Sequence, residues 1–266
     1  MVRSKDILLH HPYDSYDTVV NFLRSASRDP RVLCIKQTLY RTSANSPIAR
    51  ALLDAAGRKE VTVVVELKAS LDEASNICWA RRFEQAGVQV FHGVAGLKTH
   101  AKCLLIVRQD PDGKIRQYAH LGTGNYNPST ARYYSDLSLL TSDPEITLAV
   151  HNVFNYLTAY SKQADYKPLM VAPRDMAETF IALIDREARH ARRGRPARMI
   201  IKVNAVLDPP IIGALYRASE AGVEIDLIVR GQCALVPGVR GLSSRIRVCS
   251  ACSPLVFGVS PDRSCS

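Results

Sequence analysis

The seven residues from 61 to 67, Val-Thr-Val-Val-Val-Glu-Leu, decide the fold of this chain. Their β-branched side chains, short length and lack of Gly and Pro predict a buried β-strand. Helix signals stand on both sides of it. Ser46-Pro47 predicts the start of a helix that runs to Gly57, and Asp72 predicts the cap of a helix that ends near Gly87. This alternation of strand and helix predicts an α/β fold.

The same alternation continues along the rest of the chain. Asp110-Pro-Asp-Gly113 predicts a tight turn between two paired strands. Further strands are predicted at 32–40, 88–91, 101–108, 115–121, 133–140, 199–203 and 223–229, and further helices at 143–160, 175–190 and 208–222.

The second half of the chain repeats the pattern of the first. The matching positions, at offsets of 166, 162 and 158 residues, are Ile35 and Ile201, Val61 and Val223, and Val88 and Ile246. We therefore expect a duplicated α/β unit. The first unit is predicted over residues 1–165, a second and incomplete one over 166–250, and an aberrant tail over 251–266.

The net charge indicates the kind of partner. A formal charge of +10, from 35 Lys and Arg against 25 Asp and Glu, implies an anionic one. The basic residues are dispersed, which favours a pocket for a phosphate-rich ligand, and no nucleic-acid partner is predicted. No apolar run is long enough to span a bilayer and the chain does not open on a signal peptide, so a cytoplasmic location is expected.

The sharpest chemical signal is the segment 96–102, Gly-Leu-Lys-Thr-His-Ala-Lys, at the start of a predicted strand. Residues two apart in a strand point to the same face, so the His100 imidazole and the Lys102 ammonium should lie together. A neighbouring cation lowers the pKa of an imidazole, and the neutral imidazole is the form that attacks phosphorus. The ammonium also neutralises charge on phosphate oxygens. The pair predicts a nucleophilic histidine, whereas a lone histidine is more often structural.

A glycine loop, Gly122-Thr123-Gly124-Asn125, follows the next predicted strand. The backbone N–H groups of the two glycines are expected to approach an anion, and the Asn125 amide is expected to add a donor. His120, just before the loop, is a further candidate for lining the site.

His-x-Lys followed by Gly-x-Gly-Asn in a duplicated α/β sandwich unit resembles the phospholipase D superfamily. Longer stretches are similar to the long, histidine-phosphorylating type of bacterial polyphosphate kinase, over residues 1 to about 249. These stretches are 35–41, 63–69, 96–102, 120–127, 136–141 and 227–231.

The resemblance implies a reversible transfer of the ATP γ-phosphoryl group to His100 and then to polyphosphate, with ATP, ADP and polyphosphate as partners and Mg²⁺ as cofactor. It places Arg41 at the magnesium and phosphate site, and Tyr134 and Arg230 at the nucleotide. Lys68 and Lys98 are further cationic candidates by position. A homo-oligomer (a dimer or tetramer in the intact family) and peripheral membrane association are also expectations from the resemblance.

The chain departs from the family pattern in three places. Ser70 stands where the family has a second arginine, which removes a charge and a bidentate donor. The family's second histidine falls on Gly258, and residues 251–266 do not resemble the family, which predicts a truncated or frameshifted end. The family's two N-terminal domains are not expected here. The chain is therefore predicted to be a C-terminal catalytic fragment with impaired activity.

Two alternatives stay open on the sequence. A phospholipase D-type phosphodiesterase would use the same His100 nucleophile, but that superfamily has an acidic residue five positions after the lysine, where this chain has Val107. A non-catalytic remnant would bind polyanions without turnover.

Overall fold

The computed structural model of the chain describes residues 2–67, 73–159, 161 and 165–250. The chain divides into two compact units, Met1–Leu169 and Met170–Ser266. The sequence placed this boundary between residues 165 and 166. Both units are built from strands and helices, so the α/β prediction is confirmed. Among the described residues, no helix combines the length and the apolar character needed to cross a bilayer.

The first unit is built on a mixed sheet. In chain order its described elements are β1 (Ile7–His11), α1 (Asp17–Arg28), β2 (Val32–Leu39), α2 (Pro47–Ala56), β3 (Glu60–Val65), α3 (Glu73–Gln85), β4 (Gln89–Phe91), β5 (Cys103–Gln109), β6 (Ile115–Gly122), β7 (Asp136–Thr141) and α4 (Pro144–Ala159). The strand order across the sheet is β1-β7-β6-β5-β2-β3-β4. The strands from β2 to β4 run parallel, whereas β5 runs antiparallel to β2.

Helices cover both faces of this sheet. Leu23 of α1 and Phe83 of α3 are fully buried in one core together with Leu104 and Ile106 of β5. Leu105, which points to the opposite face, is also fully buried, and α4 contacts β5 and β6. A strand buried on both faces is continuously apolar, which explains the run of apolar residues in β5.

Most predicted elements agree with the observed ones to within a few residues. Ser46 caps α2 by accepting a hydrogen bond from the Ala49 N–H at 3.2 Å. The strand predicted from residue 101 begins at Cys103 instead, because the Ala101 carbonyl accepts a hydrogen bond from the side-chain hydroxyl of Thr38 in β2 rather than from a backbone N–H of that strand. Neither β1 nor α1 was predicted, and the Asp72 cap lies outside the described residues.

The second unit contains a three-stranded parallel sheet among its described residues. Its elements are α5 (Met176–Arg192), β8 (Arg198–Val203), α6 (Pro209–Glu220), β9 (Glu224–Val229) and β10 (Ile246–Ser250). The strand order is β10-β9-β8, and α5 packs against α6. The aberrant tail predicted at 251–266, including Gly258, lies outside the described residues.

The strand register of the second unit repeats that of the first. The ladder of the first unit ends at the pair Leu39 and Val65, and that of the second ends at the pair Val203 and Val229, an offset of 164 residues in both strands. The offsets of 166 and 162 read from the sequence were therefore wrong by two residues each. A shift of two keeps every side chain on the same face, so a hydrophobic pattern cannot detect it.

The corrected register changes which residues correspond. The Glu66 N–H donates to the Leu39 carbonyl, and the Arg230 N–H donates to the Val203 carbonyl in the same place of its own sheet. Arg230 thus occupies the position of Glu66. The offset of 162 residues read from the sequence had matched it with Lys68 instead.

A buried carboxylate fastens the β5–β6 hairpin. The Asp110 side chain is fully buried and accepts hydrogen bonds from the Tyr118 hydroxyl at 2.8 Å, from Arg116 at 2.9 Å and from Arg108. Burial alone would raise the pKa of Asp110, but the hydrogen bonds from Tyr118 and the two arginines hold it below its ordinary value. The network therefore stabilises the fold above the unfolded-state pKa of about 3.9, and this contribution is lost as the pH falls through the folded-state pKa.

Replacement of this carboxylate tests the network. Asp110→Ala is expected to lower the free energy of unfolding by about 3–5 kcal/mol, because two arginines and a hydroxyl lose a buried partner. Urea denaturation at pH 7 measures the loss. Asp112→Ala is the control, because it removes a partly exposed partner of Arg116. Equal losses of unfolding free energy in Asp110→Ala and Asp112→Ala would contradict the conclusion that the buried carboxylate of Asp110 stabilises the hairpin.

Candidate active site

Three of the predicted site residues of the first unit, Arg41, His100 and Lys102, lie at one edge of its sheet. The parallel strands β2 and β3 end there, and Tyr40, Arg41 and Glu66 follow them directly. Because β5 is antiparallel to β2, the segment that leads into β5 and carries His100 and Lys102 reaches the same edge. The carboxyl ends of parallel strands are where α/β proteins commonly bind ligands.

His100 and Lys102 lie together, as their spacing predicts. The Lys102 Nζ is 3.0 Å from both ring nitrogens of His100, and it donates a hydrogen bond to the His100 carbonyl at 2.6 Å. Lys102 is only 5% exposed, whereas His100 is open to solvent. The pair thus consists of a solvent-accessible imidazole in contact with a buried ammonium group.

The electrostatics of the pair keep the imidazole neutral. Partial burial lowers the pKa of His100, and the charges of Lys102, Arg41 and Lys98 lower it further. Burial also lowers the pKa of Lys102 to about 8, although the carboxylate of Asp136 acts in the opposite direction. Near neutral pH this arrangement gives an uncharged imidazole beside a lysine that is still protonated.

Tyr40 is a part of the site that the motif analysis missed. Its ring meets the His100 ring edge to face, with centroids 4.7 Å apart. The Lys102 Nζ lies 5.1 Å from the Tyr40 ring centroid, and the Arg41 guanidinium carbon lies 5.9 Å from it. Contact between a cation and an aromatic face is attractive, so the ring helps to hold both cations near His100. Its position at the end of β2, next to Arg41, was the available signal.

The backbone of the histidine segment is held by a buried acid. Glu66 is 6% exposed, and its carboxylate accepts a hydrogen bond from the Thr99 N–H at 2.7 Å. Gly93 lies against the same threonine, and a Cβ at this position would be 2.3 Å from the Thr99 hydroxyl oxygen. Gly93 also has a φ of +74°, so both space and conformation require glycine there.

The glycine loop differs from the predicted anion cradle. The Gly122 N–H donates to the Lys102 carbonyl at 3.0 Å, so it is occupied within the sheet and is not directed at an anion. A Cβ on Gly124 would lie 2.4 Å from one carboxylate oxygen of Asp136. The other carboxylate oxygen of Asp136 accepts a hydrogen bond from the Thr123 hydroxyl at 2.8 Å. Gly124 therefore allows close packing of the loop onto Asp136, whose charge acts on Lys102.

His120 does not line the accessible site. It is 1% exposed, and its Nδ1 lies 2.7 Å from the Tyr126 hydroxyl. Burial lowers its pKa to about 3, with a smaller contribution from His11, so it stays neutral at physiological pH. The possibility raised from the sequence is wrong because the side chain points into the protein.

The other predicted residues of the first unit have varied environments. Asn125 is partly buried, and among the described residues its side-chain oxygen has no hydrogen-bond partner. Tyr134 is 44% exposed, and Lys98 is exposed with its charge close enough to affect His100. Lys98 and Tyr134 are thus accessible to solvent, whereas the Asn125 oxygen is buried.

Arg230 belongs to the second unit and is exposed there. Its Nε and Nη2 donate to the Asn204 side-chain oxygen at 3.1 and 2.9 Å. Lys68, and the Ser70 that replaces an expected arginine, lie outside the described residues.

The chemistry of the site favours anions. The groups around His100 are the cationic side chains of Lys102, Arg41 and Lys98, and a guanidinium cannot ligate a metal ion. Within the described parts of the chain, no three His, Cys, Asp or Glu side chains form a group able to hold a metal. This arrangement fits a magnesium ion that arrives bound to substrate phosphates, which is a common mode of Mg²⁺ binding.

Comparison with known proteins identifies the family. Residues 1–163 match the model of polyphosphate kinase C-terminal domain 1, and residues 169–255 match that of C-terminal domain 2. This chain belongs to the polyphosphate kinase family. The resemblance seen in its motifs is thereby confirmed.

Similar proteins support the same assignment. The chain is 54% identical to the polyphosphate kinase of Thermosynechococcus vestitus over 94% of its own length and 34% of that protein. It is also 54% identical to the polyphosphate kinase of Synechocystis sp., over 96% of this chain and 35% of that one. A crystal structure of polyphosphate kinase from Porphyromonas gingivalis aligns with 93% of this chain and 41% of that chain, at 44% identity and a TM-score of 0.82. The chain thus spans about a third of the length of the curated polyphosphate kinases named here.

The tight packing of the glycine loop gives a direct test. Gly124→Ala is expected to displace the loop or Asp136, because a contact of 2.4 Å is impossible without movement. We expect a lower melting temperature, measured by calorimetry. Gly57→Ala is the control, since open space surrounds Gly57 and its φ of −74° suits any residue. An unchanged melting temperature in Gly124→Ala would contradict the tight packing of this loop onto Asp136.

Proposed function

We propose that this chain carries the phosphohistidine centre of a polyphosphate kinase. In this proposal the γ-phosphoryl group of ATP passes to His100 and then to the end of a polyphosphate chain, and both steps are reversible. The observation that carries the proposal is the buried Lys102 ammonium 3.0 Å from the imidazole nitrogens of an accessible His100. The membership of the chain in this family agrees with that chemistry.

The first step is a substitution at phosphorus. The lone pair of a neutral imidazole nitrogen of His100 attacks the γ-phosphorus, an N–P bond forms, and the bond to the bridging oxygen breaks as ADP leaves. Lys102, Arg41 and Lys98 are positioned to neutralise the oxygens of the transferring group. In the second step a terminal phosphate oxygen of polyphosphate attacks the same phosphorus and restores free His100.

The remaining predicted residues take substrate-binding roles in this proposal. Mg²⁺ enters as the counter-ion of the nucleotide, and Arg41 pairs with phosphate oxygens rather than with the metal. The exposed Tyr134 ring offers a surface on which a nucleotide base can stack. Arg230 is proposed to contact phosphates as well. ATP, ADP and polyphosphate are the proposed partners, and the cytoplasm is the proposed location. The homo-oligomer and the membrane association stay predictions.

Isotopic labelling tests the proposal. Incubation of the chain with γ-labelled ATP and Mg²⁺ is expected to give label on the protein that is stable in alkali and labile in acid. His100→Gln should abolish this label, because it removes the nucleophile. His92→Gln is the control, since His92 is an exposed histidine eight residues away. Polyphosphate binding without any label would support a non-catalytic remnant instead, and diester hydrolysis without label from ATP would support a phosphodiesterase.

The pH dependence of labelling follows from the two shifted pKa values. The rate is expected to fall on the acid side as His100 becomes protonated, with a midpoint below 6.5. It should fall again on the alkaline side near pH 8, where Lys102 loses its charge. Single-turnover rates measured from about pH 5 to about pH 10 cover both the acid and the alkaline limb.

A lysine replacement separates the two limbs. Lys102→Arg is expected to slow the reaction because of its different geometry, but it should remove the alkaline limb, since a guanidinium stays charged throughout this range. An alkaline limb that persists in Lys102→Arg would contradict the assignment of that limb to Lys102.

A further inference from the structure

Asn76 joins the two strand ends that carry the site. It lies in the first turns of α3 and is fully buried, with 0% exposure. Its side-chain NH₂ donates to the Tyr40 carbonyl at 2.6 Å and to the Glu66 carbonyl at 2.9 Å, and its side-chain oxygen accepts from the Thr42 N–H at 3.2 Å. One amide thus satisfies three backbone groups just beyond β2 and β3.

These bonds continue the pairing of the two strands past its natural end. The last ladder bond runs from the Glu66 N–H to the Leu39 carbonyl at 3.0 Å. Beyond this bond the ladder between β2 and β3 ends. Without Asn76, the carbonyls of Tyr40 and Glu66 would lose the hydrogen bonds that it donates to them. An amide is suited to this place because it carries two donor hydrogens and one acceptor oxygen on a short stem.

Two further side chains of α3 hold the same segment. The Ser75 hydroxyl donates to the Thr42 carbonyl at 2.6 Å, and the Trp79 ring N–H donates to the Ser43 carbonyl at 2.9 Å. We refer to Ser75, Asn76 and Trp79 as the α3 clamp. The clamp fixes four backbone groups between residues 40 and 43, which is the segment that carries Arg41.

Two routes lead from Asn76 to the nucleophile. Along the first, the fixed end of β2 places the Tyr40 ring 4.7 Å from the His100 ring. Along the second, the fixed end of β3 places the Glu66 carboxylate, which accepts from the Thr99 N–H next to His100. Both routes act on the orientation of one imidazole, from two sides.

We propose that Asn76, supported by Ser75 and Trp79, is a positioning residue for phosphoryl transfer, and that it sets the orientation of His100 through Tyr40 and Glu66. The proposal rests on the proposed function of His100. Asn76 touches no reacting atom. Its part is to hold the nucleophile and the cations around it in one geometry, which is where much of the rate of such a reaction arises.

The principal test compares labelling rates. Asn76→Ala is expected to lower the single-turnover rate of labelling at saturating ATP on the order of 10- to 100-fold, with a smaller effect on the ATP concentration at half-maximal rate. Leu23→Ala is the matched control, because it truncates a fully buried side chain of α1 that belongs neither to the clamp nor to the segments that carry Tyr40, Glu66 and His100. It is expected to lower the melting temperature while the labelling rate of the folded chain stays close to the original. Equal rate losses in both variants would overturn the proposal.

A second readout does not depend on turnover. The His100 titration is followed by proton NMR of the full chain, with its signal assigned by its absence in His100→Gln. The groups that face this imidazole are the Tyr40 ring and the cations of Lys102, Arg41 and Lys98. In Asn76→Ala the pKa of His100 is expected to rise toward 6.5, because the ring and Arg41 are no longer held beside it. It should not change in Leu23→Ala.

The outcomes of these experiments distinguish the proposed function of His100 from the positioning role of Asn76. An original chain that takes no label overturns the proposed function, and the titration of His100 then still tests the positioning. An original chain that is labelled, together with an Asn76→Ala variant of unchanged rate and unchanged titration, overturns the positioning role. If Asn76→Ala fails to fold, Ser75→Ala removes one bond of the clamp and is expected to change both readouts in the same direction by a smaller amount. No change in Ser75→Ala would then overturn the proposal.

Discussion

A lysine ammonium that is almost closed off from water, beside an imidazole that must stay uncharged, is the constraint around which this structure is arranged. Removing a cation from water is costly unless nearby groups compensate for it. Lys102 obtains this compensation from the His100 carbonyl, from the face of Tyr40 and from the field of Asp136. The same burial lowers the pKa of Lys102 to about 8, so the ammonium keeps its charge at neutral pH but loses it in mildly alkaline solution. A single environment therefore lowers the pKa values of both the His100 imidazole and the Lys102 ammonium.

The rest of the first unit supplies the rigid frame that this pair requires. Parallel pairing of β2 and β3 brings Tyr40 and Glu66 to one edge, and antiparallel pairing of β5 brings Lys102 to the same place. The Thr38 hydroxyl accepts from the Cys103 N–H and donates to the Ala101 carbonyl, and β5 begins at Cys103, directly after the lysine. The segment before β5 thus lies outside the strand ladder, with His100 exposed to solvent and Lys102 buried beneath it.

Local patterns in the sequence predicted much of this arrangement, whereas the contacts that depend on distant residues were not accessible to them. The β-branched run at 61–67 and the two-residue spacing of His100 and Lys102 carry their structural meaning within a few residues. The roles of Gly122 and His120 were misjudged, because each depends on what lies across the sheet or beneath it. The strand alignment of the two halves was wrong by two residues, since a period-two pattern is unchanged by such a shift.

The corrected alignment also shows how far the two units have diverged. Tyr40 and Glu66 of the first unit correspond in register to Asn204 and Arg230 of the second. In the first unit the acid is buried and holds the backbone of the histidine segment. In the second, the side chains at the two positions bond directly to each other and both residues are exposed. The same ladder position thus serves internal support in one unit and presents a cation to solvent in the other. Duplication of the scaffold therefore does not imply duplication of the chemistry, since a single exchange of acid for base at a strand end reverses what that end can bind.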